Sequence, residues 1–247
     1  MSWKMGALGL MLFSEGFGPC SERGGAPARV EAEPKAPAAA DGEHARLPKQ
    51  QTPTPKTYMK SHFAEADVMR RALIGGRLSE LKATAAQLAA DDWSPNLRPT
   101  WKAHLTDVRA AARAINVATS MPEGAEALSQ LGSACASCHR SVGGPASPGP
   151  LTAPAKDEER PMLEHAQAEE WLWRGLSFPS DSAWISGARA LQRAPGLDSD
   201  VGEVSAAARH LQGLAGRAAA ATESRSELYA DILITCSSCH EFVGVKP

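Results

Sequence analysis

The chain has 247 residues, a formal net charge of -2, 22% charged and 43% hydrophobic residues, a balance that fits a globular protein of one large domain or two small ones. Near-neutral charge and the lack of a dense Lys/Arg run exclude the electrostatic footprint of a nucleic-acid binder. Aromatic residues make up 5% and Ala is abundant, which favours helices with small interfacial side chains over sheets.

The N-terminus carries Lys4 and then the apolar run "MGALGLMLF" at 5–13. The run is too brief to span a bilayer and reads as an export signal over residues 1–19. Cys20 follows, a candidate for the lipidated first residue of a mature bacterial lipoprotein, although Phe17, Gly18 and Pro19 depart from the usual small-residue pattern. Simple cleavage is the alternative. Residues 20–56 hold many Pro and Ala and almost no large apolar side chains, so they are expected to form a disordered tether. Residues 145–159 have the same character and read as a linker.

Between and after these segments lie two helical regions, 57–144 and 160–247. Apolar periodicity and breakers predict helices at 57–74, 77–91, 97–119 and 122–140, then at 160–177, 181–193, 199–221 and 223–241. Four such helices joined by short loops make an antiparallel bundle. The fold class expected is all-α, two tandem four-helix bundles behind a tether. The regions also match one another. Setting Met59 on Met162 sets His62 on His165 and Leu73 on Leu176, and a nearly equal offset sets Leu131, Cys135, Cys138 and His139 on Ile232, Cys236, Cys239 and His240. The seam 59, 62, 66, 69, 73 is one helix face, and in its counterpart Glu169 stands where Ala66 does.

Each region ends in Cys-x-x-Cys-His, as "ACASCHRSVGG" at 134–144 and "TCSSCHEFVG" at 235–244. On a helix two Cys three apart share a face, and in c-type haem attachment both thiols add to haem vinyl groups while the His ligates iron. A four-Cys zinc site would need distant pairs brought together and leaves both His unexplained. A thioredoxin-like pair should open a helix within a βαβ pattern rather than close one. The motifs therefore point to two covalently bound haem c groups, on Cys135 and Cys138 with His139 as proximal ligand, and on Cys236 and Cys239 with His240.

With these motifs closing helical stretches, each half resembles the cytochrome c-prime family, and the likeness covers about 170 of the 247 residues. The resemblance implies haem at one end of a bundle, with a first-helix residue over the distal face. Bundle topology brings the start of helix one, the start of helix three and the end of helix four together. The candidates for the sixth iron position are therefore His62 and His165, with Met59 and Met162 or His104 and His210 as alternatives, or no ligand at all. Imidazoles in an apolar seam are costly without a partner, which favours His62 and His165. The family's best-known members keep an apolar distal residue and bind small gases, and their last helix runs on past the motif; this chain departs on both counts. Trp93, Trp101, Trp171, Trp173 and Trp184 read as packing residues.

The expected function is an exported dihaem c-type cytochrome carrying single electrons between redox partner proteins. Its place is the periplasm or the outer face of a bacterial membrane, with membrane anchoring through a lipid at Cys20. The unequal seams at Ala66 and Glu169 suggest unequal haem potentials. A gas-binding protein with an open distal site is the alternative, in which case small gas ligands become partners. A peroxidase-type enzyme would need an acid–base pair that the sequence does not place. Intact-mass analysis of the mature protein checks the N-terminus: a chain starting at a lipid-modified Cys20 is expected, and a free unmodified chain would remove the anchor.

Overall fold

The computed structural model describes residues 54–91, 97–144, 160–193 and 201–244. The export segment, Cys20, the tether up to residue 53, Trp93 and the 145–159 linker lie outside them. The described residues form helices and no strand, in the order α1 Pro55–Ile74, α2 Leu78–Ala90, α3 Pro99–Val117, α4 Met121–Val142, α5 Arg160–Ser177, α6 Asp181–Arg193, α7 Gly202–Ala220 and α8 Arg225–Val243. The all-α class is as expected, and each predicted helix has a counterpart whose ends differ by no more than three residues. Helix α1 starts two residues earlier than periodicity suggests because Pro55 fills its first turn and Thr54 caps it, accepting from the Thr57 N–H at 3.3 Å.

Local chemistry explains the other boundaries that matter for the motifs. Ser120 caps α4 by accepting from the Glu123 N–H, and the Glu123 carboxylate accepts in return from the Thr119 N–H at 2.7 Å. Gly143 and Gly244, at φ 68 and 65, adopt the left-handed conformation that ends α4 and α8. Each helix thus ends three residues after its motif histidine, leaving each motif within the last two turns or so.

Consecutive helices pack on one another within residues 55–142 and within 160–243, and the halves meet where α4 packs on α8 and α5, and α1 on α8. The buried side chains make one continuous cluster across both halves, with Met69, Leu73, Leu81, Leu128 and Leu131 joined to Leu172, Trp173, Trp184 and Tyr229. Gly132 permits this contact, because a Cβ there would lie 2.7 Å from the Trp173 ring and 2.9 Å from Leu176.

Helices α5 and α6 approach closely at two glycines. A Cβ on Gly175 would stand 2.4 Å from the Trp184 backbone N, and one on Gly187 would stand 2.6 Å from the Leu172 N and 2.7 Å from the Ala168 carbonyl. Neither helix backbone can yield locally. Gly187→Ala is expected to lower unfolding free energy by about 1–3 kcal/mol despite the higher helix propensity of Ala, measured by urea denaturation. An unchanged or raised midpoint would show that the two helices separate at little cost.

Candidate cofactor sites

Two cavities lie at the two motifs, of about 510 Å³ at the first and 530 Å³ at the second. Both fall within the range of cofactor and ligand pockets, about 300–1,000 Å³. The first is walled by Met59, His62 and Ala66 of α1, Val108 of α3, and Leu131, Cys135 and His139 of α4. The second repeats this with Met162, His165 and Glu169 of α5, Leu211 of α7, and Cys236, Cys239 and His240 of α8. The first-helix histidines and methionines thus share a cavity with the motif of their own half. His104 is half-buried, His210 is exposed, and neither lines either of these two cavities.

The four motif cysteines are free rather than disulfide-bonded. Burial pushes the thiols of Cys135 and Cys236 up to about 12, and those of Cys138 and Cys239 upward as well. Such groups stay protonated at neutral pH and lack the thiolate that metal capture or disulfide exchange requires. Cys135 lines one cavity while Cys236 and Cys239 line the other, so the pairs do not converge on a four-Cys centre.

No family model, curated protein or solved structure matches the chain.

Both motif histidines are half-buried, and burial lowers their basicity below the ordinary imidazole value. The backbone carbonyl of Ser177 opposes this at His139, and that of Ile74 does so at His240, although neither Nδ1 closes a full hydrogen bond. These two carbonyls belong to the last residues of α5 and α1, so each comes from the opposite half of the chain.

The distal candidates differ between cavities. His62 is 9% exposed, its Nε2 lies 3.5 Å from Asp91 Oδ2, and Tyr58 stacks on it at 6.0 Å. His62, Glu65 and Asp91 place ligand atoms within 4.8 Å of one another, the only such group of three or more His, Cys, Asp or Glu among the described residues. Ala168 occupies the place equivalent to Glu65, so the second cavity has no matching carboxylate there. His165 is half-buried, and burial lowers its basicity, with Glu164 opposing and His240 adding to the fall. That effect puts His165 within electrostatic reach of His240. Met59 is half-buried, whereas Met162 is 38% exposed, so the apolar seam expected at the start of α5 opens to solvent.

Sequence reasoning did not foresee that each cavity is closed by the other half. Trp173, Ser177 and Phe178 from the end of α5 wall the first cavity, and Arg70, Arg71, Ile74 and Gly75 from the end of α1 wall the second. Arg70 and Trp173, Ile74 and Ser177, and Gly75 and Phe178 are separated by the same offset as His62 and His165, so the exchange is reciprocal. The signal was a charge anomaly, Arg70 beside the apolar seam of α1 and Glu169 within that of α5. The two meet: Arg70 Nε and Nη2 donate to Glu169 Oε1 and Oε2 at 3.1 and 2.6 Å, and Nη1 donates to Glu170 Oε2 at 2.6 Å. Tyr229 Oη also donates to Glu169 Oε1.

The residues suit covalently held haem. Each cavity has an apolar body, a neutral thiol, an imidazole and cations at its wall, Lys56 and Lys60 in the first and Arg71 and Arg77 in the second, able to meet carboxylates. Trp173 Nε1 is buried without an acceptor in the first wall, a donor left over by the protein's own packing.

The four cavity imidazoles, His62, His139, His165 and His240, are all held below 6.5, chiefly by burial. Between their folded values and about 6.5 the unfolded chain binds more protons, so stability falls as pH drops through that window and returns above it. Thermal melts of the cofactor-free chain followed by circular dichroism should show a lower midpoint at about pH 5.5 than at about pH 7.5. Equal midpoints would mean that the imidazoles are solvated.

Proposed function

We propose that the protein is an exported dihaem c-type cytochrome that carries single electrons, built as two tandem four-helix bundles of cytochrome c-prime type. The observation that carries this reading is that Cys135 and His139 of the first motif, and Cys236, Cys239 and His240 of the second, share an apolar cavity with a histidine from the first helix of the same half, His62 or His165. Haem bound there would supply an Fe(III)/Fe(II) couple.

The chain's own residues have distinct parts in this scheme. Cys135, Cys138, Cys236 and Cys239 would hold the cofactor covalently, as thioethers. His139 and His240 would ligate from one side, with the Ser177 and Ile74 carbonyls raising the basicity of their rings against burial. His62 and His165, or Met59 and Met162 in their place, would fill the other side and exclude small ligands. The tether and a lipid on Cys20 would keep the helical unit near a membrane on the outer side while it meets redox partners. Among the described residues no helix is long and apolar enough to cross a membrane.

The second reading, an open distal site that binds small gases, draws on one observation. The His62 imidazole lies against Asp91, and it would have to leave that carboxylate to face a metal in the cavity.

Visible spectra of the purified holoprotein, ferric and ferrous, with and without CO, separate the two. Two haems per chain and sharp low-spin ferrous bands unaltered by CO are expected. His62→Ala and His165→Ala should each convert one haem to a CO-binding form. Immediate CO shifts in the unsubstituted protein would favour gas binding, and a colourless protein from a host competent in c-type maturation would reject both.

A further inference from the structure

The two cavities share a wall, and the wall is charged on one side only. Arg70 is 4% exposed and Glu169 is likewise 4% exposed. Both line the second cavity. The Arg70 guanidinium also sits 5.5 Å from the centre of the Trp173 ring, and Trp173 lines the first cavity. Arg70 and Trp173 are separated by the same offset as His62 and His165, one presenting a cation and the other an uncharged indole to the opposite site. Glu169 has Ala66 as its equivalent, and Ala66 lines the first cavity. The two sites therefore offer the same candidate ligands but different fields: the second faces a buried guanidinium and carboxylate, and the first faces Ala66 and Trp173 at the same places.

We propose that Arg70 and Glu169 set the reduction potential of the second site, Arg70 acting on it from the opposite half of the chain, so that two sites with matching ligands hold different potentials. This rests on the reading of both motifs as haem sites. A buried charge acts through low-dielectric protein and is weakly screened by solvent or salt. A cation beside the site favours the electron-rich state and raises its potential, and an anion lowers it. Here the two are matched. Arg70 meets Glu169 with two hydrogen bonds and Glu170 with one, Glu170 is met in turn by Arg174 at 2.5 Å, and Tyr229 donates to Glu169. Removing one charge exposes its partner to the site.

The consequence is a pair of opposite signs. Arg70→Met leaves Glu169 without its cation, so the second-site potential falls. Glu169→Gln preserves shape and an acceptor for Arg70, which keeps Glu170 and Asp67 beside it, but takes one negative charge out of the second-site wall, so the same potential rises. The first site, which meets the pair only behind the Trp173 ring, moves less. A purely structural role would loosen the wall in both variants, admit water alike, and move potentials in one direction.

The experiment is an optical redox titration of the full-length holoprotein and both variants, after haem has been counted by the pyridine haemochrome method. Two haems per chain, with one wave shifted down in Arg70→Met and that same wave shifted up in Glu169→Gln, is the expected result. Shifts of the same sign, equal shifts of both waves, or no shift would overturn the assignment to Arg70 and Glu169 while leaving the haem reading intact. A protein without two haems would overturn that reading and the inference with it. If Arg70→Met does not fold, Tyr229→Phe takes its place: it removes a donor from Glu169 and should also move the wave down, while a rise in Glu169→Gln remains required.

Discussion

A guanidinium buried to 4% exposure cannot stand alone in a protein interior, and the packing of the two halves is organised around satisfying Arg70. Its acceptors, Glu169 and Glu170, sit on α5, about a hundred residues away in sequence, and Tyr229 of α8 completes the carboxylate's set of donors. Truncating one member of such a pair strands the other, at a cost of about 3–5 kcal/mol. An apolar seam could slide or rotate with little penalty, whereas a two-point hydrogen-bonded ion pair accepts one register. The pair therefore specifies how the halves meet more than it adds to their affinity, and Gly132 supplies the space for that register by admitting the Trp173 ring.

From that register the reciprocity of the two cavities follows. Once α1 lies on α8 and α5 on α4, the last turn of each first helix faces the other half's motif. The carbonyls of Ile74 and Ser177 are then free at helix C-termini, where the final carbonyls have no partner within the helix, and are positioned to act on His240 and His139. A half taken alone would lack both the wall and the carbonyl. Two helical halves in one chain can thus complete one another's cavities as two subunits of a dimer would, with one added freedom: positions 103 residues apart need not match. Ala66 against Glu169, Glu65 against Ala168, and Arg70 against Trp173 are three such divergences, all within or beside the cavities.

The helices and motifs were legible from the chain because they depend on short-range chemistry. Pro55 and Thr54, Ser120 with Glu123, and the positive-φ glycines Gly143 and Gly244 start and stop helices wherever they occur. Periodicity located the seam of α1, and His62, Ala66, Met69 and Leu73 are buried as that face requires. It was less reliable at the start of α5, where Met162 is exposed, since periodicity defines a face but not how far a neighbouring helix extends to cover it. The placement of His62 and His165 beside the motifs, and of His104 and His210 away from the cavities, rests on helix direction plus a rotation about each helix axis. Only the direction could be read from loop lengths.

What the sequence alone determined was the set of helices, the correspondence of the halves and the chemistry available at each motif, all properties of residues near one another along the chain. What the tertiary structure decided was ownership: that Arg70 belongs to the second cavity, Trp173 to the first, and that Glu169 is a buried partner rather than a surface acid. The reason is physical. Contacts between α1 and α5 side chains are governed by packing and charge satisfaction across about a hundred residues of chain, and no local pattern encodes which distant surface a buried charge will meet.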